Sequence, residues 1–250
     1  MNAQNGSTGE KGPWGPMATV AFTVLIALVL VVVQTAFAIP YLMLQAARYP
    51  MMDFAAAAAG LKSDGLFVGL SEIVGGSVAL GLTVLIAWAR KGPPLRDYLA
   101  LRPVGRLTML RWLLYTTVAA VLLDGLSYLL GHAIVPDWMI DIFRSAVFLP
   151  LLLFALLVVA PVLEEVVFRG FFFEGLRRSR LGEVGAIVVG SLVWASVHLQ
   201  YEWFYVAQVF VFGLVLGAAR VRTRSLATPV AMHAFFSGIA TLQTAVRSWS

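Results

Sequence analysis

The chain has 250 residues, 60% of them hydrophobic and only 12% charged, with a formal net charge of +5. Ordinary soluble domains are roughly 45–50% apolar and about 25% charged, so a water-soluble enzyme and a disordered chain are both excluded. There is no cysteine, which removes disulfide scaffolds, thiolate catalysis and cysteine metal clusters as well.

The composition reads as an all-α fold, a polytopic transmembrane helical bundle of about seven to eight helices. Residues 1–16 hold Gly, Ser, Asn and Pro and are expected to form a flexible N-terminal tail. A crossing helix needs about 20 mostly apolar residues. Such stretches follow at 17–40, 66–89, 108–131, 145–176, 184–199, 203–219 and 226–246. The fourth is too long for one simple span. The alanine run at 55–59 is expected to be a loop helix. A competing reading of the first stretch is a signal peptide ending at Ala36-Phe37-Ala38. The length of the apolar run and the single preceding Lys11 argue against it.

The basic residues cluster by loop. Arg90, Lys91, Arg96, Arg102 and Arg106 share one, Arg177, Arg178 and Arg180 a second, and Arg220, Arg222 and Arg224 a third. Asp53, Asp64, Asp137, Asp141 and Glu202 fall in the alternate loops. Cytoplasmic loops carry the excess of Lys and Arg, so seven crossings put the N-terminus inside and the C-terminus outside. The high pI of 9.8 therefore reflects membrane topology. No nucleic-acid partner is expected, because the cations are scattered over three loops. Membrane lipid is the partner that the composition implies.

Ionisable groups inside the spans are the informative ones, since each costs several kcal/mol unless paired or hydrated. They are Glu72, Asp124, Glu164, Glu165, Arg169, His198 and His233. Glu165 and Arg169 stand four apart on one helix face and can form an ion pair. Glu164 then faces about 100° away. Pro161 lacks an N–H and predicts a kink or a helix start just before these residues. One carboxylate with two imidazoles resembles a hydrolytic site, with a base, groups that orient water and donors for an oxyanion. The bland alternatives are a helix end near the headgroups for the carboxylates, and packing hydrogen bonds between helices for each histidine.

At these residues the sequence resembles the CPBP family, the CAAX-prenyl-protease and bacteriocin-processing membrane proteins also called the Abi family. Its E-E-x-x-x-R motif is present as Glu164-Glu165-Val-Val-Phe168-Arg169. Its F-x-x-x-H motif stands as Trp194-Ala-Ser-Val-His198, with Trp in place of Phe. Its H-x-x-x-N motif stands as His233-Ala-Phe-Phe-Ser237, with Ser in place of Asn. On this basis 17–142 are N-terminal transmembrane helices and 143–246 a CPBP-like catalytic core within the same bundle.

The resemblance implies an intramembrane endopeptidase of the metallopeptidase-like class, acting on membrane-associated, including prenylated CAAX-type, proteins or peptides in the plasma membrane of a prokaryote. It implies Glu164 as the base that activates water and His198 as the group that orients it. His233 and the residue at 237 would stabilise the oxyanion, with Glu165–Arg169 as a structural ion pair. Ser237 donates one hydrogen bond but reaches less far than Asn, which puts activity in question and leaves the fold intact. Trp194 is expected only to pack. Glu164, His198 and His233 are also a zinc ligand set by residue type, although no H-E-x-x-H helix is present. No cofactor and a bound zinc ion are both open readings. A non-catalytic membrane scaffold or bacteriocin immunity protein is the alternative function. A proton-coupled transporter using Glu164 and Asp124 would be expected to show repeated halves, and none is seen.

Straight helices raise a conflict. They set Glu164 near the inner face, His233 somewhat deeper and His198 toward the outer face. Convergence then needs a break at Pro161, a tilted or re-entrant 184–199 helix, or another span count. Asp124 is expected to face the bundle. Glu72, near Gly75, Gly76 and Gly81, is expected to serve helix packing. Trp14, Tyr41, Tyr49, Trp88, Trp138, Tyr201 and Trp249 suit an interfacial belt.

Overall fold

The computed structural model describes residues 12–198 and 201–249. Ten helices and no strand occur among them, an all-α bundle as the composition requires. They are α1 (Pro16–Arg48), α2 (Phe54–Gly60), α3 (Gly65–Ala89), α4 (Leu95–Tyr98), α5 (Arg106–Leu129), α6 (Asp137–Arg144), α7 (Leu149–Leu176), α8 (Gly182–Ser196), α9 (Trp203–Thr223) and α10 (Ala227–Trp249). Five of them, α1, α3, α5, α7 and α9, are long and apolar enough to cross a membrane. The other two expected spans also form helices. At 15 residues, α8 is only about 22 Å long, shorter than the hydrocarbon core of about 30 Å.

Local chemistry sets several helix ends. Asp53 accepts from the N–H groups of Ala55 and Ala56 and starts α2. Asp64 does the same for Leu66 and Phe67 at α3. Each carboxylate satisfies donors that the first turn leaves unpaired. At the far end of α9, Arg220 and Arg222 lie in the last turn, where cations complement the helix dipole. Residues 1–11 of the expected tail lie outside the described residues. Trp14, assigned above to the interface, is half-buried and donates from Nε1 to the Ile86 carbonyl. The helix α1 runs unbroken through Ala36-Phe37-Ala38 and packs on α3.

Glycines bring the central helices together. A Cβ at Gly69 would meet Leu151 and Leu152, and one at Gly76 would meet Val159 and Leu163, all on α7. A Cβ at Gly75 would meet Gln34 and Leu30 of α1. So α3 wedges between α1 and α7, with small residues toward both. On α9, Gly213 and Gly217 receive Ser191, Trp194 and Ile187 of α8. That is small-xxx-small packing, which lets two backbones approach closely.

The sequence leaves two outcomes open at Pro161, a kink or a helix start, and the structure does not start a new helix there. The chain stays helical across it, with π-helical turns at Ala155–Val159 and Val166–Phe172 on either side of Ala160–Glu165. Wide turns absorb the missing N–H of proline without ending the helix. From Val166 to Leu176 every residue of α7 is buried, so protein and not lipid surrounds its charged groups.

The ends of the bundle separate by charge. Ser225 donates to the Arg102 carbonyl, and Leu226 N–H to that of Ala100. Glu174 pairs with Arg177 and Arg178 and lies 3.9 Å from Arg220. Thus the three basic loops meet at one end, where Trp14 also lies against Tyr98. At the other end Arg144 reaches the Ser248 carbonyl. The first and last described helices therefore emerge at opposite ends of the bundle.

Candidate active site

The α7–α8 pair places the first two motifs at one height. Glu164 is twelve residues before the end of α7, and Trp194 is twelve residues after the start of α8. The two helices run antiparallel from a short turn, so both residues stand about 18 Å above it. Trp194 is 2% exposed, and its Nε1–H donates to Glu164 Oε2 at 2.5 Å. This resolves the conflict between the straight-helix depths. The carboxylate is mid-helix because α7 continues buried for eleven residues beyond Glu165.

Behind Glu164, the second carboxylate is fully enclosed. Glu165 Oε1 accepts from Arg169 Nη1 and from His233 Nδ1, both at 2.9 Å. The spacing of four makes the ion pair, and the tertiary fold adds the histidine. Arg169 also donates from Nη2 to the Gly213 carbonyl, and its own carbonyl accepts from Arg220 Nε. Glu165 Oε2 is buried without a hydrogen-bond partner among the described residues.

His233 reaches this level because α10 does not begin at the protein surface. Ser225 and Thr228 are fully buried and Leu226 nearly so. The segment Ala100–Arg102 lies beneath this turn and holds it by hydrogen bonds. His198 follows the end of α8, and its Nδ1 lies 2.9 Å from the Trp194 carbonyl. A carbonyl can only accept, so Nδ1 carries a proton and Nε2 is the nitrogen left for another partner.

Trp194 joins these groups. Its ring lies 5.4 Å from that of His198 and 5.3 Å from that of His233. The Arg169 guanidinium sits over it at 4.4 Å. Phe212 of α9 tilts against it and also edges His233. The structure therefore gathers Glu164, Glu165, Arg169, His198 and His233 around one indole. Ser237 lies one turn beyond His233 and is partly exposed, and its hydroxyl makes no hydrogen bond to the described residues. The expectation that Trp194 only packs is corrected: it donates to Glu164, which a phenylalanine could not do.

Glu72 is half-buried on α3, accepts a long hydrogen bond from Gln34 Nε2 at 3.4 Å, and feels the charge of Glu164. Asp124 accepts from Gln243 of α10 at 2.6 Å, a pairing between helices. His132, at a helix exit, stacks on Phe204 at 3.9 Å. Among the described residues no three His, Asp or Glu side chains gather closely enough to hold a metal ion.

Residues 146–239 match the family model of the type II CAAX prenyl endopeptidase Rce1-like proteins. The membrane-embedded CAAX protease MroQ of Staphylococcus aureus (strain USA300) is 30% identical over 95 residues, 36% of this chain and 38% of that protein. An uncharacterized 24.3 kDa protein of Escherichia coli is 33% identical over 86 residues, 33% of this chain and 39% of its own length. The matches thus span about two fifths of these curated relatives. No solved structure is significantly similar to the chain. The region that carries the three motifs thus matches the Rce1-like family model, in line with the resemblance that the motifs carry. With its five long apolar helices, the protein is an integral membrane protein.

Proposed function

We propose that the protein is an intramembrane endopeptidase that hydrolyses membrane-associated proteins or peptides, prenylated CAAX-type chains among them, in the plasma membrane of a prokaryote. The observation that carries the reading is the unequal treatment of two adjacent carboxylates. Glu165 is paired with Arg169, whereas Glu164 accepts its hydrogen bond from a neutral N–H donor among the described residues and is partly open. A poorly hydrated carboxylate not paired with a cation is suited to act as a base.

In this reading Glu164 takes a proton from water as the oxygen attacks the scissile carbonyl carbon. His198 Nε2 accepts a hydrogen bond from the same water. His233, held through Nδ1 by Glu165, stabilises the oxyanion together with Ser237 Oγ–H. Collapse breaks the C–N bond, and Glu164 returns its proton to the leaving amine. A single oxyanion donor is worth roughly 10²–10³ in rate.

The test is cleavage of membrane peptides, with and without a prenyl-cysteine tail, by protein reconstituted in liposomes. Glu164→Ala is expected to abolish turnover, and chelation to leave it unchanged. Undiminished cleavage by Glu164→Ala would reject the assignment. Loss on chelation with recovery on added zinc would favour Glu164, His198 and His233 as metal ligands. A second reading, a non-catalytic scaffold or immunity protein, is favoured by Ser237, which stands where the motif has Asn. It predicts an inert wild type that Ser237→Asn switches on. The peptidase reading predicts that the same change alters an existing rate by about tenfold or less.

A further inference from the structure

We propose that Trp194 is a positioning residue for the base: its N–H holds Glu164 through a neutral contact while its ring keeps Arg169 on Glu165. The inference rests on the peptidase reading of Glu164 and adds a residue to it. Two neighbouring carboxylates lie near one buried guanidinium, and Glu165 is the one paired with it, at 2.9 Å. In a medium of low dielectric an arginine attracts any carboxylate within reach far more strongly than in water. A base captured in an ion pair would be lost to the water it must activate, so the site needs a way to divide the two acids.

The indole supplies it. Its face covers the guanidinium at 4.4 Å, leaving the guanidinium nitrogens for Glu165 and the Gly213 carbonyl. Its edge carries Nε1–H, which donates and cannot accept, and this edge points at Glu164 Oε2. Oε1 is then the oxygen left for water. The ring itself has little freedom. It is 2% exposed, bounded by His198, His233 and Phe212, and it lies against Gly213, where a Cβ would stand 3.1 Å from its Cε3. A phenylalanine, the residue of the F-x-x-x-H motif, would fill the space and cover Arg169, but it would leave Glu164 unheld.

The experiment uses the full chain in detergent micelles or nanodiscs. The indole N–H resonance missing in Trp194→Phe identifies Trp194 among the seven tryptophans. Glu164→Leu should move that resonance upfield, and Glu72→Gln should not. In the peptide assay Trp194→Phe should lower kcat by about 10- to 100-fold, the range of one lost charge-assisted hydrogen bond, with KM within about twofold. A Trp194 resonance indifferent to Glu164→Leu would overturn the proposal, as would a Trp194→Phe variant whose kcat is unchanged or whose loss is confined to KM. If the wild type shows no cleavage that depends on Glu164, the peptidase reading fails, and the resonance still decides whether Trp194 holds Glu164.

Discussion

Glu165 illustrates how one side chain can be placed by sequence spacing and then given a second task by the fold. Its carboxylate is fully buried and shared between Arg169 and His233. Removing one member of a buried ion pair leaves the other charge uncompensated and costs about 3–5 kcal/mol. Glu165→Ala is therefore expected to destabilise the bundle by that amount in detergent unfolding. A Glu165→Leu, Arg169→Leu double variant should recover most of the loss, since replacing both charges by apolar groups is often neutral. It should nonetheless cleave poorly, because His233 Nδ1 would have no carboxylate to orient the ring. A double variant as unstable as the single one would show that the pair does more than neutralise itself.

Among the helices, α7 and the α8–α9 pair set the position of the site. The π-helical turns flanking Pro161 let α7 pass through the bundle without ending. The α8–α9 contact depends on Gly213. A Cβ there would lie 2.9 Å from Ser191 Cβ and 3.1 Å from Trp194 Cε3. Gly213→Ala should cost about 1–3 kcal/mol by overpacking and lower cleavage by displacing the indole. Gly81→Ala is the control, because a Cβ at Gly81 meets nothing within 4 Å, and it should be neutral in both thermal unfolding and turnover.

At the level of the whole molecule, the three basic loops meet at one end while Ser248 lies at the other against Arg144. The absence of cysteine makes a direct test simple. Single Ser179→Cys and Ser248→Cys variants in sealed vesicles should react with an impermeant maleimide from opposite sides, Ser179 from the cytoplasmic one by the positive-inside bias. Labelling of both from the same side would remove the seven-crossing arrangement.

The sequence alone determined the solvent of this protein and the places of its helices, because an apolar excess and a 20-residue period follow from the bilayer and need no tertiary contact. It also determined the Glu165–Arg169 pair, which lies within one turn of one helix. Straight-helix reasoning misplaced the depth of Glu164 and His198, since depth depends on where α7 and α10 begin within the protein and on what surrounds their ends. The short α8, the buried α9–α10 turn and the passage of α7 through Pro161 are products of packing among distant segments. Only the tertiary structure decided that His233 would bind Glu165 and that Trp194 would donate to Glu164, because those contacts join residues 68 and 30 positions apart, and no local periodicity records which edge of a ring faces across a helix pair.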